Sequence, residues 1–354
     1  MAKIKKVLIA YSPRPPIIEY LKAAFERKGV EAHGYFSNTN NWFDRYVIHY
    51  INKTAHNLRL MPKDKIFFEN HPLSHLHYRS QKLLERVEEV SPDLVIIVRG
   101  LRVTEDVLSK IRKRSMLFGW WIEAQERVRE PLKELEYFDH YSFMNSSCVE
   151  EAAGKGFKNV SLLHHSVSKD AFYPVDVPKQ YDWCFVGGWT PKRMDYIERA
   201  LKVSGSAVIY GSKWIKKNPF NLSLRGLVKG PYISGSDLVR LYSGTKVVLN
   251  VTTWGGEGDK RSGMNMRVLE VPACRTLLLT DGSKDLGNVV TAGEHVGVYE
   301  GMDEFMEKLA FYIKNQDERE RIALSGYRHV TSNYTYDDMA GRILGICESS
   351  VNSR

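Results

Sequence analysis

Short apolar runs alternate with amphipathic stretches along most of the chain. In the first half, apolar positions recur at helical spacing over residues 16–28 and again around residues 81–90. Short apolar runs that are separated by helical stretches are typical of a parallel, doubly wound sheet. The predicted strands of this half are residues 7–10, 94–98, 117–121, 141–144 and 160–163.

The same alternation resumes in the second half of the chain. Its predicted strands are residues 183–186, 207–210, 247–251, 277–279 and 296–299. Residues 172–180 contain two prolines and show no periodicity, as expected of a linker. We therefore predict an N-terminal domain over residues 1–172 and a C-terminal domain over residues 181–335. A last helix, within residues 336–354, could cross back to the first domain. Residues 38–80, rich in Asn, His, Tyr and Phe, are predicted to form an irregular insertion.

Composition and charge narrow the class of partner. The length of 354 residues suggests two domains, and a hydrophobic content of 43% is sufficient for two cores. The net charge of +9 favours anionic partners, such as nucleotide phosphates, nucleic acid or acidic lipid. The four cysteines form no CxxC pair, so we expect reduced, buried thiols in a cytoplasmic protein. No apolar stretch is long enough to cross a bilayer.

Several familiar motifs are absent from the sequence. It contains neither the GxGxxG turn of nicotinamide dehydrogenases nor the P-loop, the GxSxG elbow or a DxD pair. His71, His75 and His77 are close together, and His164 adjoins His165, but no cysteine or carboxylate completes a recognisable zinc spacing. We therefore predict no metal site.

A glycine turn after the predicted strand at residues 183–186 is a candidate phosphate site. Gly187 and Gly188 allow the backbone to approach a phosphate closely. Lys192 and Arg193 lie near the start of the next predicted helix, where the helix N-terminus adds favourable charge. The alternative is an ordinary tight turn followed by two surface cations.

The sequence GMNMRVLE at residues 263–270 is a second candidate. It predicts a glycine turn that leads into a helix, and Arg267 and Glu270 would share one face of that helix. A cation for a diphosphate and a carboxylate for ribose hydroxyls are what a sugar nucleotide requires. The alternative is an exposed ion pair that contributes about a few tenths of a kcal/mol.

In their order and spacing, these motifs resemble the CgeB-like glycosyltransferases of the GT-B superfamily. The resemblance is carried by FVGG at 185–188, LNV at 249–251, GMNMRVLE at 263–270 and LLLTD at 277–281. It covers residues 181–346 and is weaker in the first half. It implies an α/β protein of the GT-B architecture, in which two Rossmann-like, doubly wound domains face a central cleft.

The resemblance also implies a donor site. The donor would be a nucleotide-diphosphate sugar, with its ribose on Glu270 and its diphosphate on Arg267. The other implied donor-binding residues are Gly187, Gly188, Lys192, Arg193, Gly211, Tyr232, Met264 and Asn265. No cofactor would be required, because Arg267 and the turn dipoles can stabilise the leaving diphosphate. The chain departs from the family pattern at Ser262, where many retaining GT-B enzymes have Glu, and at Arg275, where Gly is frequent.

The acceptor and the catalytic base are expected on the N-terminal side. Glu123 follows the apolar run 117–122 and could be a general base, although a salt bridge to Arg127 is the alternative. His165, near the predicted hinge, is a second candidate for an active-site contact. The candidate acceptor-side residues are Ser12, Arg14, Arg99 and Arg102. Because the three arginines follow predicted strands, they would make this edge positive, and we predict an anionic acceptor.

These features predict an enzyme that transfers a hexosyl or pentosyl group from a nucleotide sugar to a hydroxyl group. The acceptor would be a glycan, a lipid or another biomolecule. Three alternatives remain open from the sequence: a glycosyltransferase acting on modified bases of DNA, a sugar-nucleotide epimerase, and a non-catalytic protein that binds nucleotide sugar or nucleic acid.

Overall fold

The chain forms two compact α/β units. The structure, a computed structural model, describes residues 4–11, 16–37, 41–62, 65–69, 71–98, 102–123, 127–252 and 262–351. The first unit comprises Met1–Leu163 together with Met339–Arg354, and the second comprises His164–Asp338. The described residues of each unit form a six-stranded parallel sheet.

The sheet of the first unit is doubly wound. Its strands are β1 (Lys6–Tyr11), β2 (Glu31–Phe36), β3 (Leu94–Val98), β4 (Met116–Trp121), β5 (His140–Phe143) and β6 (Val160–Leu162). They are arranged in the order β2-β1-β3-β4-β5-β6, and every pairing is parallel. The direction of winding therefore reverses between β1 and β3.

Helices cover this sheet and add regular structure that the sequence did not predict. They are α1 (Pro16–Arg27), α2 (His49–Asn57), α3 (His75–Val90), α4 (Glu105–Arg112), α5 (Arg129–Leu132) and α6 (Ser146–Gly154). The region predicted as an irregular insertion contains α2, which a π-helical turn at Asp44–Ile48 precedes. The first turns of α3 also lie within it. The sequence did not predict helices in this region because its apolar residues are largely exposed and show no clear period.

The second unit repeats the architecture. Its strands are β7 (Tyr181–Val186), β8 (Ala207–Tyr210), β9 (Val228–Gly230), β10 (Thr245–Asn250), β11 (Leu277–Asp281) and β12 (Gly297–Tyr299). Their order is β12-β11-β10-β7-β8-β9, again with parallel pairings, so the winding reverses between β7 and β10. The helices are α7 (Pro191–Val203), α8 (Trp214–Lys217), α9 (Leu222–Leu227), α10 (Gly235–Ser243), α11 (Arg267–Ala273), α12 (Gly301–Lys314) and α13 (Gln316–Asn333). The last helix, α14 (Tyr336–Val351), begins in this unit, but from Met339 onward it belongs to the first unit.

Both faces of the second sheet are buried, which explains its continuous apolar strands. In β7, Trp183 and Phe185 pack into one core cluster, whereas Cys184 between them packs into another. In β10, Val247 and Val248 divide between the same two clusters. Strands covered on both faces lose the polar alternation of half-exposed strands. The predicted α/β architecture with doubly wound parallel sheets is therefore confirmed.

The segment predicted as a linker belongs to the second unit. The first unit's main segment ends at Leu163, before residues 172–180. Within that segment the Val175 amide donates a hydrogen bond to Ser243 Oγ at 3.1 Å. Lys179 Nζ donates to the carbonyl oxygens of Ser243 and Thr245, at 2.7 and 2.9 Å. The backbone there is irregular, as predicted, but it is attached to the amino end of β10.

The cysteines are all free and buried, as predicted. Burial raises the pKa of Cys184, Cys274 and Cys347 to about 12, so these thiols stay protonated at neutral pH. Within the described ranges, no helix has the length and apolar character needed to cross a membrane.

Candidate functional site

The predicted donor residues gather at the carboxyl edge of the second sheet. In open α/β sheets, ligands bind outside the carboxyl ends of strands, at the point where the winding reverses. Here that point lies between β7 and β10. Gly187 and Gly188 follow β7, Thr252 lies just beyond β10, and Asp281 ends β11. The local chain pattern thus brings three strand ends to one place.

The glycine turn after β7 packs closely against the turn after β8. The Gly187 amide donates to the Tyr210 carbonyl at 2.8 Å, and Trp214 Nε1 donates to the Gly187 carbonyl at 2.8 Å. A Cβ atom on Gly211 would lie 1.8 Å from the Gly187 carbonyl oxygen. Gly211 is therefore required for this packing. The amide of Gly188 makes no hydrogen bond with any described residue, so it remains available to a ligand.

Arg193 connects the turns that follow β7 and β10. Its Nε donates to the Val251 carbonyl at 2.9 Å, and its Nη1 donates to the Gly188 carbonyl at 2.8 Å. The guanidinium is buried and lies 5.4 Å from the centre of the Phe185 ring. Burial, helped by the nearby charge of Arg267, lowers the pKa of Arg193 to about 10. With two nitrogens bound to backbone, Arg193 supports the site, whereas the sequence pattern had suggested a direct phosphate contact.

Lys192 contacts a carboxylate that the sequence analysis did not single out. Its Nζ lies 3.1 Å from Asp281 Oδ2, and both side chains are partly buried. The same carboxylate oxygen accepts hydrogen bonds from the Thr252 hydroxyl and amide, at 2.6 and 3.1 Å. A signal was present in the sequence, because Asp281 is the last residue of the largely apolar strand β11.

Asn250, the last residue of β10, organises the first turn of α11. Its Oδ1 accepts hydrogen bonds from Asn265 Nδ2 at 2.9 Å and from Arg267 Nη1 at 3.2 Å. Its own amide nitrogen donates to Thr280 Oγ1 at 2.9 Å. Asn265 Oδ1 in turn accepts from the Arg267 amide at 3.1 Å. This network places Arg267 beside the strand ends, as the motif predicted.

Glu270 is a partly exposed carboxylate without a hydrogen-bond partner among the described residues. The ion pair with Arg267, considered as an alternative in the sequence analysis, is not formed within the described structure. Loss of solvent raises the pKa of Glu270 to about 7, and the charge of Arg267 opposes that rise. An unpaired carboxyl with a strongly raised pKa is typical of functional sites.

The remaining donor-side residues occupy different environments. Met264 is buried, so it packs beneath the turn and supports it. Ser262 is also buried, and the next amide, that of Gly263, donates to Asp285 Oδ2 at 2.8 Å. Tyr232 follows β9 and is 77% exposed. Its ring is therefore free to stack on a ligand.

The two candidate catalytic residues lie in different units. Glu123, in the first unit, has an 18% exposed side chain that lies 3.4 Å from Arg127 Nη1. The salt bridge considered in the sequence analysis is thus formed. His165, in the second unit, is buried, and burial with the neighbouring His164 lowers its pKa to about 4. His165 is therefore neutral at physiological pH.

On the acceptor side, Ser12, Arg14 and Arg99 lie outside the described residues. Arg102 Nη1 lies 2.6 Å from Glu69 Oε1 and lines a cavity of about 670 Å³ within the first unit. Most of the cavity lies in the region predicted as an insertion. Its basic lining residues are His49, Lys53, His56, His75, Arg79 and Arg102, and its acidic ones are Asp44 and Glu69. Among the described residues, no three His, Cys, Asp or Glu side chains are grouped so as to bind a metal ion.

Comparison with known proteins shows a similarity to glycosyltransferases. Residues 193–345 match the family model described as "Glycosyl transferase-like". Spore protein CgeB of Bacillus subtilis (strain 168) is 21% identical over 282 residues, which cover 74% of this chain and 85% of that protein. The chain is thus similar to CgeB and to glycosyltransferases. The resemblance expected from the donor motifs is thus confirmed.

Solved structures confirm the fold. Sucrose-phosphate synthase (tll1590) from Thermosynechococcus elongatus has a TM-score of 0.68 and 12% identity, covering 99% of this chain and 100% of that chain. Anabaena Alr3699/HepE in complex with UDP and glucose has a TM-score of 0.65 and 10% identity, covering 98% and 100%. A glycosyltransferase from Rickettsia africae ESF-5 has a TM-score of 0.67 and 12% identity, covering 100% of both chains. The predicted GT-B architecture is confirmed.

Proposed function

We propose that the protein transfers a sugar from a nucleoside-diphosphate sugar to a hydroxyl group, with the donor at the carboxyl edge of the second sheet. The observation that carries the proposal is Glu270, a carboxylate near the charge of Arg267 that has no hydrogen-bond or ion-pair partner among the described residues. Ribose hydroxyls would supply the hydrogen bonds that Glu270 lacks. The guanidinium of Arg267 would contact the diphosphate in the forked geometry that suits phosphate oxygens.

Further contacts support the diphosphate position. The amide of Gly188, which makes no hydrogen bond with a described residue, and the ammonium of Lys192 lie after the same strand, and both favour negative charge. When the acceptor oxygen attacks the anomeric carbon, the bond to the diphosphate oxygen breaks, and charge develops on that oxygen. Arg267, Lys192 and the Gly188 amide are the groups that would stabilise it. Glu123 remains the candidate base for the acceptor proton, which Glu123→Gln would test through a loss of kcat.

We further propose UDP as the nucleotide. The support is the Anabaena structure of the same fold, which holds UDP and glucose. Tyr232, exposed after β9, is the candidate for stacking on the base.

For the acceptor, we propose a phosphorylated or otherwise anionic glycan or lipid that binds the cavity of the first unit. Lys53, Arg79 and Arg102 supply positive charge there, partly balanced by Asp44 and Glu69. A related structure, that of S. aureus TarM, contains fondaparinux, alpha-GlcNAc-glycerol and UDP, and covers 76% of this chain at a TM-score of 0.58. None of the compared proteins gives support to a DNA acceptor.

Titration calorimetry with UDP tests the donor site directly. Glu270→Ala should weaken UDP binding by about 10- to 150-fold, because a hydrogen bond to a charged group contributes about 1.5–3 kcal/mol. Glu198→Ala, which removes an exposed carboxylate from α7, is the matched control and should bind as the wild type does. Unchanged affinity in Glu270→Ala would remove that residue from the site.

A panel of UDP-sugars, analysed by mass spectrometry with and without candidate acceptors, tests the reaction. Transfer requires that the sugar appear on the acceptor. Conversion of the donor sugar in the absence of acceptor would instead indicate an epimerase, and binding without turnover of any donor or acceptor would indicate a non-catalytic protein.

A further inference from the structure

A second cavity, of about 440 Å³, lies at the amino edge of the second sheet. Its walls come from residues 174–179, the first residues of β10 and β11, the turn after α11, and α13. The candidate donor site lies at the carboxyl edge, so the strands separate the two by about 15–20 Å at the usual rise per residue. The volume falls within the range of about 300–1,000 Å³ that is usual for small-molecule sites.

Cations dominate the polar lining of this cavity. The lining cations are Lys179, Lys246, Arg275 and Arg319, and the lining carboxylates are Asp176 and Glu320. Lys246 is neutralised by Asp182, whose Oδ1 lies 2.7 Å from its Nζ. The other three cations form no ion pair with any described residue. Burial lowers the pKa of Lys179 to about 8, the charges of Arg319 and Arg275 lower it further, and the charge of Glu320 opposes the shift.

Arg319 is buried in the wall of the cavity with part of its guanidinium unbonded. Its side chain belongs to a residue that is only 5% exposed. Nη1 donates to the carbonyl oxygens of Tyr312 and Ile313, at 2.7 and 3.2 Å. Nε and Nη2 donate to no described residue. Arg319 lines the cavity, so a ligand oxygen there could accept hydrogen bonds from these two charged donors.

Arg275 occupies a backbone position that suits glycine. It lies in the turn between α11 and β11 with φ of +53°, in the left-handed region. Its amide closes the turn by donating to the Pro272 carbonyl at 2.8 Å. A non-glycine residue in this conformation has a backbone cost, and the exposed Arg275 side chain lines the cavity.

We propose that this cavity binds the phosphate group of a small organic phosphate, at a site separate from the donor site. Arg275, Arg319 and Lys179 supply the positive charge, and guanidinium groups match the oxygen geometry of phosphate. Val175, Val177 and Leu277 line the same cavity and offer apolar contacts to the organic part of the ligand. The proposal stands on these residues and does not depend on the donor that the enzyme uses.

Calorimetry tests this site. The full-length protein is titrated with inorganic phosphate, and a titration with chloride at equal ionic strength is the reference. The key variant is Arg275→Gly, because glycine adopts the same backbone conformation and the turn should fold normally. We expect phosphate to bind the wild type and to bind Arg275→Gly at least about tenfold more weakly. Lys202→Ala removes an exposed cation from α7 and should change nothing.

Arg267→Ala separates this cavity from the donor site. If phosphate binds in the cavity, this variant retains wild-type affinity for it. Loss of phosphate binding in Arg267→Ala would overturn the proposal, as would full binding by Arg275→Gly or no binding to the wild type at millimolar phosphate. A crystal soaked with tungstate should show the anion beside Arg275 and Arg319, and density only at the carboxyl edge of the sheet would refute the assignment.

Discussion

Replacing Glu270 with glutamine should make the protein more stable while impairing nucleotide binding. The carboxyl has a raised pKa in the folded protein, about 7 against an ordinary value of 4.5. Each unit of pKa corresponds to about 1.36 kcal/mol, so ionisation of Glu270 destabilises the folded state by at most about 3 kcal/mol. Glutamine keeps the shape and removes the charge. Because its amide also loses solvent, we expect a net gain of about 1–2 kcal/mol.

The pH dependence has a definite sign. A group whose pKa is raised on folding favours the folded state most below its unfolded pKa, here about 4.5. That contribution is lost as the pH rises through about 7. Wild-type stability should therefore fall between pH 4.5 and pH 8 relative to that of Glu270→Gln, so the variant's advantage is largest at pH 8 and shrinks at pH 5.

Differential scanning calorimetry at pH 5 and pH 8 measures this difference. For a domain of this size, about 1 kcal/mol shifts Tm by about 2–4 °C, so Glu270→Gln should unfold several degrees above the wild type at pH 8. Glu198→Gln is the control, since that carboxylate on α7 is exposed. Two results would refute the reasoning. Glu270→Gln could be no more stable than the wild type at pH 8, or its gain in stability could be the same at pH 5 and pH 8.

The remaining predictions concern the backbone turns and the donor contacts. Arg267→Lys should leave UDP affinity well below that of the wild type in calorimetry, because a lysine cannot reproduce a guanidinium fork; full affinity would show that charge alone suffices. Gly211→Ala should lower the free energy of unfolding by about 3 kcal/mol or more in urea titrations, because its Cβ would lie 1.8 Å from the Gly187 carbonyl oxygen. Gly205→Ala, with open space around the new Cβ, is the control, and equal effects would contradict the packing argument. Tyr232→Ala should weaken UDP binding with no change in Tm, because the ring is exposed; wild-type affinity would exclude the stacking contact.

The local pattern of the chain was enough to predict the architecture. Strand β3 and the centre of β10, residues 247–249, are continuous apolar runs because both of their faces are covered, and that pattern is visible without any structure. The edge that carries the donor motifs was predictable for a similar reason. Gly187 and Asn265 follow apolar strands in the sequence, and the carboxyl ends of parallel strands lie on the same edge of a sheet.

The helical segments within residues 41–62 were harder to predict from the sequence. Trp42, Tyr46 and Tyr50 are exposed, so the segment lacks the period of buried positions that identifies an amphipathic helix. The unit boundary at Leu163 was also missed. Prolines between residues 172 and 180 indicate irregular backbone, but they carry no information about which unit the segment packs against.

Only the tertiary structure decided the roles of individual side chains at the sites. Arg193 bonds to a carbonyl 58 positions away, which turned a presumed phosphate ligand into a support for two loops. Glu270 is distinguished by lost solvent and by the absence of a described partner, and Arg319 by a cavity built from four separate segments. Burial and hydrogen bonding depend on segments that are distant in sequence, whereas strand and turn patterns are local. The sequence therefore determined which chemical groups reach each edge of the sheet, and folding decided which of them remain free to bind a ligand.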